Sequence, residues 1–227
     1  MTAKGKGAGL LRTPENLDRL LDAVCEKSPL PVSVKTRAGF DSTAEWEKLL
    51  PVYARYPLKR LILHPRACRD GYAPGTADLS CLPPALTLFG DRLVYNGDVF
   101  SPEDAGRVRE AAGREIPLML GRGLVARPSL ARELKGGTPL RKEELYLFYE
   151  RLRREWTDLY DRNIAFMKLR VVMKHTVLCF EHAEKYEKRI RHAKRPEELE
   201  EAAERLFDAC DVKQDPRFVP DELRREL

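Results

Sequence analysis

Pro31-Val32-Ser33-Val34-Lys35-Thr36-Arg37-Ala38-Gly39 is the first of four short apolar runs that end in polar residues. The others are Leu61-Ile62-Leu63-His64-Pro65-Arg66, Leu93-Val94-Tyr95-Asn96-Gly97-Asp98 and Pro117-Leu118-Met119-Leu120-Gly121-Arg122-Gly123. Strand-like segments near 31–36, 60–64, 92–96 and 117–120 alternate with segments of helical spacing, the signature of a parallel α/β sheet. In parallel barrels the strands pack and their C-terminal ends carry chemistry. Polar residues are present at all four ends, but four strands are half of what a closed barrel needs.

Helix starts are marked between the strands. Thr43 precedes Ala44-Glu45-Trp46-Glu47-Lys48-Leu49-Leu50, and Ser101-Pro102-Glu103-Asp104 puts proline at the first helical position with acids in the first turn. Pro83-Pro84 interrupts any long helix across 76–89. After Lys135-Gly136-Gly137-Thr138-Pro139, a candidate hinge, the strand signal stops. Helices are predicted over 141–160, 162–180, 182–193, 196–210 and 220–226. In 162–180, Ile164, Met167, Val171 and Leu178 recur at helical spacing while Phe166, Leu169, Val172 and Phe180 fill a second apolar face, predicting a helix central to a bundle. The division expected is 1–137 for the α/β part and 138–227 for the helical part.

Composition bounds the class. A chain of 227 residues, 43% hydrophobic and 34% charged, suits a soluble globular protein holding one core or a medium domain plus a small one. No stretch approaches the roughly 18–20 apolar residues of a membrane helix, and the opening residues lack the apolar core of a secretory signal, so a cytoplasmic location with no membrane partner is expected. Cys25, Cys68, Cys81, Cys179 and Cys210 are scattered without a Cys-x-x-Cys or Cys-His cluster, which argues against disulfides and against a metal site. The net charge of +5 is too small to name a nucleic-acid partner by itself.

Individual residues carry open readings. Lys35 and Arg37 alternate along the first run and point the same way at the mouth of a sheet, where they suit either an anionic or electron-rich ligand or a strand-end ion pair. His64 closes the second run, a place where histidine is commonly structural. Asn96-Gly97-Asp98 reads as a turn. Gly121-Arg122-Gly123, after an apolar strand, offers backbone N–H groups and a guanidinium to a phosphate. The opening Lys4-Gly5-Lys6-Gly7-Ala8-Gly9 matches neither the Walker nor the Rossmann glycine pattern. Between 151 and 195 basic residues outnumber acidic ones. There Arg170 and Lys174, and likewise Lys185 and Arg189, sit four apart on one helix face, suiting a run of phosphates or a solvated surface.

Taken in order, these segments resemble the tRNA-dihydrouridine synthase family. The likeness rests on Lys4 to Pro14, on Val32 to Gly39, and on His64-Pro65-Arg66 with Tyr72 and Gly75. It continues through Asn96-Gly97-Asp98-Val99 with Ser101, Glu103, Asp104 and Ala105, then Gly121-Arg122-Gly123-Leu124 with Pro128, and Met173-Lys174-His175. The resemblance implies an FMN-dependent TIM (β/α)8 barrel followed by a helical tRNA-binding domain. It also implies reduction of the 5,6 double bond of uridine in tRNA: NADPH reduces FMN, the flavin passes hydride to carbon 6, and a cysteine protonates carbon 5. It places FMN contacts at Lys35, His64, Asn96, Gly97, Asp98, Gly121 and Arg122; with tRNA as the implied partner, the helix faces of Arg170, Lys174, Lys185 and Arg189 read above are the expected nucleic-acid contacts. The family's Gly-Cys-Pro segment, bearing the proton-donating cysteine, would precede Met1, so no catalytic residue is expected in this sequence, with Cys68 a remote substitute.

The fold class expected is therefore α/β plus all-α: the C-terminal half of a TIM barrel, four βα units, followed by a helical bundle. Half a barrel leaves two apolar sheet edges, which tend to pair with something else. A fragment of a dihydrouridine synthase is the leading expectation. A non-catalytic RNA-binding remnant and a different FMN barrel oxidoreductase acting on a small molecule are the alternatives.

Overall fold

The computed structural model describes residues 5–71, 73 and 75–213. Tyr72 and the helix expected over 220–226 lie outside the described residues. The described residues divide into two units, one formed by the chain up to Asp98 with Ala105–Leu120, the other by Val99–Asp104 with residues 121–213.

In the first unit, three strands, β1 (Ser33–Gly39), β2 (Arg60–Ala67) and β3 (Leu93–Tyr95), form a parallel sheet in the order β1-β2-β3. Val34 pairs with Leu61, Lys35 with Ile62, Thr36 with Leu63 and Arg37 with His64; Ile62 and Leu63 then pair with Val94 and Tyr95. Side chains alternate across a strand, so Lys35, Arg37, Ile62, His64 and Val94 share one face, and Thr36, Leu63 and Tyr95 the other. The second face is covered by helix. The hydroxyls of Thr36 and Tyr53 hydrogen-bond at 2.7 Å, which docks α2 (Trp46–Ala54) there, and the Trp46 indole N–H donates to the Cys81 carbonyl at 3.1 Å. Leu61, Leu63, Leu93 and Leu49 are completely buried in this core.

The fourth expected strand is reduced to one parallel bridge, Tyr95 to Leu118. The Tyr95 amide donates to the Pro117 carbonyl at 2.9 Å and the Met119 amide to the Tyr95 carbonyl at 2.7 Å, but no ladder follows. Pro117 has no N–H to donate, which shortens the pairing. Three strands plus a bridge thus replace four full strands.

One helix start differs from expectation. Ser42, not Thr43, caps the turn before α2: its hydroxyl accepts from the Ala44 amide, while the Glu45 carboxylate accepts from the amides of Phe40 (2.7 Å), Asp41 and Ser42. Thr43 instead donates to Asp78 at 2.8 Å. As expected no long helix spans 76–89: Pro83-Pro84 sits in the first turn of α3 (Leu82–Phe89), where missing N–H groups cost nothing. The remaining helices of this unit's sequence are α1 (Pro14–Lys27), buried through Leu17 and Leu21, and α4 (Pro102–Ala112). The start of α4 is as expected: the Ser101 hydroxyl accepts from the Asp104 amide, and the Asp104 carboxylate accepts from the amides of Phe100 and Ser101.

The described residues of the second unit are mainly helical from Gly121 on. Two short helices, α5 (Arg122–Ala126) and α6 (Leu130–Glu133), precede four longer ones: α7 (Lys142–Leu159), α8 (Arg162–Thr176), α9 (Glu184–His192) and α10 (Pro196–Ala209). The Lys135–Pro139 segment lies inside this unit, where Arg132 donates to the carbonyls of Thr138 (2.9 Å) and Pro139 and pairs with Glu144. Phe166, Leu169 and Met173 of α8 join Leu145, Tyr149, Ile190, Leu199, Leu206 and Phe207 in one core. Ile164, Met167 and Val171, expected on a packed face, are instead 49%, 59% and 56% exposed.

Candidate functional site

The sheet face away from α2 carries Lys35 and His64, two of the sequence-predicted residues of the first unit. Lys35 is exposed on that face, and its ammonium pKa is held below the usual lysine value, first by desolvation and then by repulsion from the Arg37 guanidinium two residues on. Among the described residues no carboxylate pairs with Lys35, so the ion-pair reading of that position is not met. Arg37 is occupied: its guanidinium donates to the carbonyls of Ala67 (2.6 Å) and Gly71 (2.7 Å), tying the loop after β2 to β1. His64, beside Arg37 in the register, is buried.

Asn96-Gly97-Asp98 follows β3 and is pinned residue by residue. The Asn96 amide donates to the Leu63 carbonyl at 2.9 Å and its side-chain Nδ2 donates to the Met119 carbonyl at 2.8 Å. Gly97 is required by close approach rather than by turn type, because a Cβ there would lie 2.1 Å from the Tyr95 hydroxyl. The Asp98 carboxylate takes both ends of the Arg66 guanidinium.

Arg66 is the residue that sequence reasoning missed. It has no exposed surface, and its Nε finds no hydrogen-bond partner. Between the pairs Arg37–His64 and Gly39–Ala67, β2 takes one residue more than β1, so Pro65-Arg66 sits in a bulge. Bulges accommodate proline and re-aim side chains. The motif His64-Pro65-Arg66 marked the place, but not that its arginine would be buried. Cys68, the expected remote substitute for a proton donor, is half-buried, its amide donating to the Gly39 carbonyl at 2.9 Å.

In the second unit, Gly121 borders open space: an added Cβ would meet nothing within 4 Å. Arg122 lies over the Phe100 ring at 5.7 Å. Gly123 is closed in, since a Cβ would approach the Val99 carbonyl to 2.1 Å. On the helices, Arg170 is half-buried and turned inward, donating to the Ala193 carbonyl at 2.8 Å, whereas Lys174 is exposed. Lys185 lies over Tyr186 at 5.7 Å, and Arg189 is exposed on the same helix. Lys168 stands over Tyr160 at 4.6 Å and Trp156 at 5.6 Å, a cation beside two rings that the sequence reading had not singled out. Many arginines in the basic stretch are paired: Arg151 with Glu155, Arg153 with Glu150, Arg162 with Glu197, Arg191 with Glu187 and Arg195 with Glu198. Surface charge available to an anion is therefore carried mainly by lysines.

Among the described residues no group of three or more His, Cys, Asp or Glu could hold a metal ion, and no helix is long and apolar enough to cross a membrane.

Fold and residue placement together define an α/β protein with a parallel sheet and a helical unit. The chain belongs to the dihydrouridine synthase family, whose model matches residues 1–211. That family is built on the TIM barrel, and the three parallel strands with their helices are consistent with part of one. Over 130 residues the chain is 34% identical to a tRNA-dihydrouridine(16) synthase of Pseudomonas syringae pv. tomato, covering 56% of this chain and 40% of that protein. It is 28% identical over 141 residues to the tRNA-dihydrouridine(16) synthase of Escherichia coli, with 61% and 44% covered. It is 30% identical over 130 residues to a tRNA-dihydrouridine synthase B of Vibrio cholerae, with 57% and 40% covered. The chain thus spans less than half the length of these relatives.

Proposed function

We propose that this chain is part of a tRNA-dihydrouridine synthase, holding FMN on the β1–β3 face and tRNA on its helices. The observation that carries the reading is the coincidence of the family match with one sheet face bearing Lys35 and His64. The residues present suit a flavin phosphate. In the first unit Lys35 is a partly desolvated cation that no carboxylate pairs with among the described residues, and the Asp98 carboxylate is paired with Arg66; in the second, the backbone at Gly121 is open to close approach.

In this reading Lys35 and His64 face the ring and Asn96 to Asp98 hold the ribityl side, while Gly121 and Arg122 of the second unit are kept as phosphate contacts on the family resemblance alone. Bound FMN would supply the hydride that reduces the 5,6 double bond of uridine, with NADPH as the source of reducing equivalents. The chain's own part is to bind and orient: a lysine of lowered pKa gives up hydration cheaply when an electron-rich ring arrives, and Asn96 keeps the turn in register with the sheet. Lys174, Lys185, Arg189 and Lys168 provide an exposed basic surface for the RNA backbone, with Arg170 acting from beneath through its bond to the Ala193 carbonyl. The functional division proposed is a cofactor part in 1–137 and a tRNA part in 138–227, a boundary set by function and not by the compact units described above. β1 pairs only with β2 among the described residues, and further strands of a barrel would cover that open edge.

Disrupting the gene in its own organism tests this reading. Dihydrouridine should disappear from at least one tRNA position, read by mass spectrometry of digested tRNA, and return when the gene is restored. Unchanged dihydrouridine at every position would overturn it.

A further inference from the structure

We infer that Arg66 is a positioning residue that fixes the Asn96-Gly97-Asp98 turn through its two-point grip on the Asp98 carboxylate. Its importance for a cofactor rests on the flavin reading above. Three observations support it. Arg66 has no exposed surface, whereas the Asp98 side chain is 25% exposed, so the buried fork reaches outward to hold a carboxylate at the rim of the sheet. Arg66 stands in the bulge of β2, an irregularity that re-aims it from the regular ladder. Its Nε is left without a partner, so Asp98 supplies its only charge compensation among the described residues.

A buried arginine is costly to hold, and an apolar pair of similar volume would often stabilise the fold as well or better. What the pair adds is orientation. A planar guanidinium taking both carboxylate oxygens fixes direction as well as distance, which a lysine cannot reproduce. Asp98 closes the turn whose other end is tied by the Asn96 side chain to the Met119 carbonyl. The backbone N–H groups between these anchors are thereby aimed before any ligand arrives, which lowers the ordering cost of binding.

The experiment uses the full chain with Arg66→Met, Arg66→Lys and Asp98→Asn, and the Arg66→Met/Asp98→Asn pair. Amide hydrogen exchange is followed in peptides covering 94–99 and, as a control, 33–39, without added ligand; FMN affinity is then titrated. Arg66→Met and Asp98→Asn should each speed exchange at 96–98 by about tenfold or more with β1 little changed, and the double variant should add almost nothing to either. Arg66→Lys should lie between, which a purely space-filling role would not produce. FMN affinity should fall about tenfold in Arg66→Met. Unchanged exchange at 96–98 in the arginine variants, or additive effects of the two sites, would overturn the inference. Should Arg66→Met fail to fold, Arg66→Lys and Asp98→Asn decide it by the same exchange readout. Failure of the native chain to bind FMN would count against the flavin reading alone, since the exchange result does not depend on the ligand.

Discussion

Glu133→Ala will cost the helical unit about 3–5 kcal/mol, because it breaks a buried ion pair by removing one partner. The Arg127 and Glu133 side chains are only 5% and 6% exposed, and they form a fork of two bonds at 2.7 and 2.6 Å, with the Ser129 hydroxyl donating to the same carboxylate. Removing the carboxylate takes both bonds of the fork away from a guanidinium that is almost fully buried. For a chain of this size the loss amounts to roughly 10 °C or more in Tm. Replacing both partners by methionine should restore most of it, since the penalty comes from breaking the pair rather than from lacking one.

The pH dependence has a definite sign. Burial pushes the Glu133 carboxyl up, but the bonds from Arg127 and Ser129 outweigh it and hold the pKa below the ordinary 4.5. A depressed folded-state pKa means that the stabilisation is present above about pH 4.5 and fades as pH falls through the lower, folded value. The stability gap between the native chain and Glu133→Gln, measured by urea denaturation, should therefore be constant near neutrality and shrink below pH 4.5. A gap that widened on acidification would contradict the burial and bonding described for this pair.

Phe207→Ala should be comparably damaging, at about 3–5 kcal/mol. Phe207 is 4% exposed in the helical core and meets Phe180 edge-on at 5.2 Å, Tyr146 at 5.2 Å and Tyr149 at 5.7 Å. Truncation removes three ring contacts at once and leaves a cavity between α7 and α10 that aromatic neighbours cannot collapse to fill. Urea midpoints read the effect. Phe207→Leu, which retains most of the volume, should recover well over half of the loss, and a loss below about 1 kcal/mol in Phe207→Ala would contradict this packing.

The strands were legible because Val34, Leu61 to Leu63 and Leu93 to Tyr95 form continuous apolar runs, as buried parallel strands must. Leu118 was read as a full strand because its run looks the same, yet Pro117 limits its pairing to a bridge. Helix 162–176 was visible, but its buried side was not. Ile164, Met167 and Val171 share the spacing of Phe166, Leu169 and Met173, and only the neighbours on α9 and α10 decide which arc packs. Lys35 and Arg37 could be placed on one face from alternation alone, and the strand register adds His64 to it. Arg66 could not, because burial of an arginine depends on a carboxylate distant in sequence, here Asp98. Arg170 shows the converse: helical spacing put it beside Lys174, but the carbonyl of Ala193 draws it inward.

The central claim is that the β1–β3 face holds FMN, and equilibrium titration of the purified chain with FMN tests it most directly. The account predicts saturable binding with a red-shifted or structured flavin absorbance band, and affinity at least tenfold weaker in Lys35→Met, with unchanged circular dichroism. A chain that leaves FMN free, or a Lys35→Met variant that binds it equally well, would contradict the account.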